Sequence, residues 1–302
     1  MGGSVNALSD DDVSLSLFNP AVLNETMNRT LSLNYVSYLA GIRFGYVACG
    51  LHRPGVGTFS AGVQYVDYGS FTEADEQGVI TGSFSAAEYA LQFSFGREVP
   101  LPHHTLQAGV SLKPVLSHLD SYTSVGLLAD FGLTCLDPQH GWAFSAVVRN
   151  VGTQLKTYAG HHEPMPVDVQ LGAVRQMRQV PLRLSLVLQH LEDPHLRENR
   201  QHFNEDTGAM ETVKKSGWEQ FGDEAWRHMV LGVEFFPFDG FWLRAGYNPL
   251  RREELAFDSK KSTVGLSWGA GLRIRSMVLS YASAKYHLAG ATNQLSILFH
   301  FE

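Results

Sequence analysis

The chain has no run of about eighteen apolar residues, which excludes a membrane-spanning helix. It has no basic cluster either: 23 Lys and Arg against 30 Asp and Glu leave a net charge of −7, whereas a nucleic-acid partner needs a stripe of cations along its phosphates. Cysteine is scarce, with only Cys49 and Cys135. Cys49 follows Arg43, Gly45 and Val47 on the charged face of its strand, and Cys135 follows Phe131 and Leu133 on the apolar face of another. The two are therefore expected on opposite sides of a wall, and free. No basic region followed by an apolar core opens the sequence, so no signal peptide is read, and Met1-Gly2-Gly3 reads as a truncated start. No Gly-x-Ser-x-Gly occurs, and no strand face gathers a serine, a histidine and an orienting polar residue, so the expectation is a chain without catalysis. His161-His162-Glu163 and His103-His104 lack a third ligand at a recognisable spacing, so neither a metal site nor a cofactor is expected.

What the sequence does contain is alternation with a period of two, which only an extended strand displays on one face. Leu182, Leu184, Leu186 and Leu188 alternate with Arg183, Ser185, Val187 and Gln189. Val125, Leu127, Ala129, Phe131 and Leu133 oppose Asp130, and Leu231, Val233 and Phe235 oppose Glu234. Val264, Leu266, Trp268, Ala270 and Leu272 oppose Ser267 and Arg273. The pattern recurs about fourteen times, with strands expected to begin near residues 29, 41, 57, 83, 105, 122, 141, 166, 181, 228, 240, 262, 276 and 293. A transmembrane strand needs only about nine to eleven residues, half of them apolar, so an unremarkable mean hydropathy of −0.10 is no obstacle. The 29 glycines and 11% aromatic content suit strands, turns and interfacial belts.

Alternation alone does not say which face meets the core. About eight strands already give a barrel interior just wide enough for side chains to fill, so a ring of about fourteen with apolar residues inside could not pack. The apolar face must then look outward into lipid, leaving a soluble double-layer sandwich as the alternative. The predicted fold is all-β: a 14-stranded antiparallel transmembrane barrel over 29–302, preceded by an N-terminal hatch or plug segment over 1–28. Connections alternate in length. Tight ones lie at Arg53-Pro54-Gly55, 96–104, Asp137-Pro138, 177–180, 237–240 and Arg275-Ser276, and long ones at 70–82, 152–165, 191–227 and 249–261. In outer-membrane barrels the short turns are periplasmic, which predicts outer-membrane residence with both termini on the periplasmic side.

The inward face is expected to carry Arg43, Glu88, Lys113, Asp130, Arg149, Asp168, Arg183, Glu234, Arg244 and Arg273. Mixed sign favours an ion-paired network over a charge-selective conduit, which uses rings of one sign. In the first segment Ser9 with Asp12 can cap a short helix carrying Val13 and Leu17, ended by Asn19-Pro20. The long loop 191–227 is expected to hold a short helix in which Trp218, Phe221, Ala225 and Trp226 share one side, while Glu219, Asp223 and Glu224 stay wet. That side is either folded over the barrel mouth or offered to a partner.

Residues 10–24, DDDVSLSLFNPAVLN, resemble the Asn-Pro-Ala hatch motif of long-chain fatty-acid-transporter-type barrels, which have fourteen strands, with Asn19, Pro20 and Ala21 in the motif positions. VDYGSF at 66–71, SHLDSYTSVGLLADFGL at 117–133, VRNVGTQLKTY at 148–158, PMPVDVQLGA at 164–173 and RAGYN at 244–248 resemble the PorV/PorQ branch of that superfamily, which belongs to the type IX secretion system. The resemblance covers nearly the whole chain. It implies a non-enzymatic component of a cargo attachment complex that holds a PorZ-like surface protein at the outer membrane, beside PorU- and PorV-type components. The final Phe301-Glu302 departs from the terminal aromatic of such barrels. The wider superfamily implies the alternative, a transporter for hydrophobic small molecules such as fatty acids.

Overall fold

Fourteen antiparallel strands pair each with its neighbour in the chain, and the last pairs with the first, so the computed structural model is a closed barrel with no free edge in its wall. It describes residues 1–158, 160, 162–196, 201–204, 209–212, 217–255, 263–287 and 290–301. In chain order the strands are β1 (Thr30–Ser37), β2 (Arg43–Arg53), β3 (Gly57–Ala74), β4 (Ile80–Pro100), β5 (Thr105–Leu119), β6 (Tyr122–Asp137), β7 (Trp142–Lys156), β8 (Asp168–Gln176) and β9 (Leu182–Leu188). A small separate pair follows, β10 (Gln201–Asn204) and β11 (Ala209–Thr212). The wall resumes with β12 (Met229–Phe238), β13 (Phe241–Tyr247), β14 (Leu266–Ile274), β15 (Met277–His287) and β16 (Gly290–His300). Closure runs from Thr30 opposite His300 to Ser37 opposite Asn293.

The apolar stripe faces out. Phe93, Phe131, Leu133, Phe144, Leu171, Leu184, Leu243, Trp268 and Leu295, from eight different strands, are all exposed on the outer surface. Each such side chain forgoes roughly 1.5–3 kcal/mol when left in water, so a belt of them around a closed ring requires hydrocarbon against it. Cross-strand aromatic pairs reinforce the belt: Phe59 with Phe95 at 4.9 Å, Tyr65 with Tyr89 at 4.9 Å, and Trp268 with Tyr281 at 5.6 Å between ring centroids. No described helix is long and apolar enough to cross a membrane.

Connections at the end where β1 begins and β16 ends are all short, and the long ones, 157–167, 189–228 and 248–265, all lie at the other end beside tight ones such as 120–121, which defines a short-turn end and a long-loop end. Most strands begin within three residues of the expected positions. The start expected near 262 falls in 256–262, outside the described residues, and β14 begins at Leu266. Val264 is not on the lipid face but fully buried ahead of the strand, where Gly265 at φ +88 breaks the extended run. The expected loop 70–82 is mostly strand, because β3 and β4 continue as a two-stranded ribbon to Ala74 and from Ile80, held by stacked Phe71 and Phe84. These strands span 18 and 21 residues, far beyond a bilayer's requirement, and a stretch outside lipid has no reason to alternate.

The predicted helix in the long loop is α1 (Gly217–His228), and a second short helix, α2 (Pro249–Leu255), follows β13 where the sequence suggested only a loop. Both cysteines are free, as expected, for a different reason. On β2 the lumenal parity belongs to Tyr46 and Ala48, which pack on the N-terminal segment, so Arg43, Val47 and Cys49 point outward, as does Cys135. Arg43 is therefore corrected from the lumenal set: it is exposed, opposite Asp67, at the long-loop rim.

Candidate functional site

Residues 1–28 lie inside the barrel. They form three 3-10 turns, each capped by a side chain that accepts a backbone N–H: Asp12 from Ser14, Asn19 from Ala21 and Asn24 from Thr26. Asp12 itself, and not Ser9, caps the first turn. Asn19 is fully buried; besides its cap it donates from Nδ2 to the Asn6 carbonyl at 2.6 Å and to Thr134 Oγ1 at 3.0 Å. Pro20 supplies the first helical position, where its missing N–H costs nothing.

The wall opposite is built to receive backbone. Gly96, Gly109 and Gly132, at inward positions of β4, β5 and β6, leave room where any Cβ would run into Pro20, Leu23 or Asn19. Gly172 on β8 does the same for Asn6. Val13, Leu23 and Met27 close a small apolar cluster with Tyr46 and Ala48, and Gln92 Nε2 donates to the Ser16 carbonyl at 2.8 Å. The β2–β8 half of the lumen is thus filled.

The other half is not. A cavity of about 460 Å3 lies between the N-terminal segment and the wall of β12–β16 and β1. Its apolar lining comes from Leu15, Phe18, Val36, Phe236, Trp242, Val278 and Leu298, with Ser280, Ser296, Thr292 and Gln294 among its polar surfaces. Trp242 lies flat across Gly271, in space that any side chain there would occupy, and its Nε1 has no hydrogen-bond partner. Thr292 Oγ1 likewise has none.

Charge gathers at the short-turn side of this cavity. Arg183 bridges Asp10 at 2.7 Å and Glu234 at 3.1 Å, and Glu234, only 1% exposed, also accepts from Arg244 at 2.6 Å. Arg273 and His300 meet Asp11 at 2.6 and 3.0 Å. On the filled side, Lys113 pairs with Asp130 at 2.8 Å, both buried, and donates to Asn150 Oδ1 at 2.6 Å. Arg149 donates to the Leu17 carbonyl at 3.3 Å, stands over the Phe18 ring, and is 4.0 Å from Asp168. Glu88 accepts from Ser117 Oγ at 3.1 Å. Nine of the ten expected inward charges therefore share the lumen, and they are tied into pairs and networks more than into a ring. Sequence reasoning missed Asp10, Asp11 and the receiving glycines; the signal was an acidic run in the segment facing isolated inward arginines.

At the long-loop end, Trp218 is 87% and Phe221 69% exposed on α1, while Trp226 packs against the outward ring of Tyr247 at 6.1 Å. His103, His104, His162 and Glu163 are exposed and apart from any metal-like group among the described residues, and His161 lies outside them. The structure instead draws together Asp168, His190 and Glu192. His190 continues in sequence the outward parity of Leu184, Leu186 and Leu188, but leaves that face through a backbone turn at φ +56.

No family model matches the chain, and no curated protein is detectably similar in sequence. Solved structures do match in fold. The toluene transporter TbuX of Ralstonia pickettii superposes with a TM-score of 0.58 at 14% identity, covering 100% of this chain and 97% of the other. The toluene transporter TodX of Pseudomonas putida gives 0.54 at 12% identity, covering 99% and 95%. The chain therefore shares the barrel fold of these two solved structures along nearly its whole length.

Proposed function

We propose that the chain is an outer-membrane barrel, termini toward the periplasm, that binds and passes a hydrophobic small molecule through the lumenal cavity. The observation that carries this is the cavity itself: a largely apolar volume of about 460 Å3 lined by Phe18, Phe236, Trp242 and Leu298, in a lumen otherwise closed by the N-terminal segment. The two toluene transporters of like fold support it. The N-terminal segment acts as the hatch, seated by Asn19, Pro20 and Ala21 and latched by Asp10 and Asp11. The test is Ser280→Trp with Ser296→Trp, which fills the cavity from β15 and β16. Loss of binding of a fluorescent fatty acid by the folded variant is expected; binding equal to the parent would overturn the proposal.

A second reading is favoured by α1, whose Trp218 and Phe221 are exposed far more than a helix packed over a mouth requires. Here the barrel anchors a PorZ-like partner in a type IX attachment complex, as the sequence resemblance implies. Retention of uncleaved secretion cargo after deletion, and loss of partner recovery with Trp218→Ala and Trp226→Ala, would favour it. Normal cargo processing after deletion would remove it.

A further inference from the structure

Three side chains of metal-ligating type converge at the long-loop end, outside the cavity. Asp168 opens β8, and His190 and Glu192 follow β9. His190 Nδ1 is 3.3 Å from Glu192 Oε1 and 3.7 Å from Asp168 Oδ1, and all three atoms lie within 4.8 Å of one another. The Nδ1 contact serves Glu192 Oε1, while Asp168 Oδ1 accepts the His190 backbone N–H at 3.1 Å and keeps a second lone pair for an ion. The remaining oxygens are already committed: Asp168 Oδ2 accepts from Gln170 Nε2 at 2.5 Å and Glu192 Oε2 from the Val169 N–H at 2.7 Å. One oxygen of each carboxylate is thereby aimed at the same ring nitrogen, in the manner that outer partners orient metal ligands.

We propose that Asp168, His190 and Glu192 bind a divalent transition metal, with zinc the best fit. Zinc to nitrogen or oxygen distances of about 2.0–2.2 Å in tetrahedral geometry place ligand atoms roughly 3.3 Å apart. The two histidine separations are already close to this, and Glu192, on a loop, supplies the remaining movement. The imidazole argues against magnesium and calcium, which prefer all-oxygen sets, and three protein ligands leave the fourth position to water. Arg149 approaches the far oxygen of Asp168, so it does not occupy the site. The His190 side chain is 40% exposed, which gives the ion a path in. A bound metal would staple the start of the long loop to the barrel wall, one residue from Gln189, whose carbonyl meets the His228 ring at the end of α1 at 2.7 Å.

The test is calorimetric titration of zinc into the full chain, folded in detergent micelles and stripped with chelator, with cobalt as a coloured stand-in. Saturable one-to-one binding is expected, weakened at least about tenfold by His190→Ala. Glu192→Gln should weaken it too, and as a loop substitution it tests the site even if His190→Ala fails to fold. His140→Ala, whose ring bonds Asp137 at the short-turn end, should leave it unchanged. No saturable binding, or equal binding by His190→Ala and Glu192→Gln, overturns the proposal.

Discussion

The two halves of the lumen obey the same alternation and reach opposite results. Along β4, β5, β6 and β8 the inward face carries glycine where the N-terminal segment crosses, so backbone meets backbone and the space is closed. Along β15, β16 and β1 the inward face carries Ser280, Ala282, Ser296 and Asn34, small or polar residues that line the cavity, and the space stays open. What differs is whether a partner segment fills the volume that small side chains release.

The largest effect that separates the halves should come from Asp130→Ala. It leaves buried Lys113 without its carboxylate and should cost about 3–5 kcal/mol, read as a lowered thermal midpoint in heat-modifiable gel migration. An unchanged midpoint would mean the filled half is not held by this pair. Next is Gly132→Val, which forces a side chain into Asn19 and should cost about 1–3 kcal/mol while displacing the segment. Ion conductance through single barrels should rise, and a silent barrel would show that the segment does not seal the lumen. On the open half Arg273→Ala removes a partly exposed partner of Asp11 and should cost no more than about 1 kcal/mol, by the same midpoint. A loss as large as that of Asp130→Ala would erase the contrast. Smallest is Trp218→Ala, on the exposed side of α1, expected within about 0.5 kcal/mol of the parent.

Much of this was legible in the sequence because lipid imposes a rule that every strand must repeat. Leu182 to Leu188 announce a strand and its outward face in seven residues. Fourteen such segments, with alternating connection lengths, determine closure and the two ends. The rule stops where lipid stops. The β3–β4 ribbon beyond Asp67 faces water on all sides, so nothing in its composition marks it as strand. Arg43 was misplaced because Val47 and Cys49 continue its parity outward, while the inward side holds Phe44, Tyr46 and Ala48, apolar residues meeting an apolar plug. Alternation reports contrast between faces, and where the lumen is itself apolar the contrast inverts. The cavity was illegible for a related reason, since small polar residues look alike whether or not a segment covers them. His190 needed a left-handed backbone turn that no neighbouring glycine advertised.

Both thiols, Cys49 and Cys135, point away from the lumen. The interior is therefore a chemically silent background for water-soluble maleimides. A cysteine introduced at Thr292, at the mouth-side wall of the cavity, can report in real time whether that wall is covered or open, without removing either native thiol.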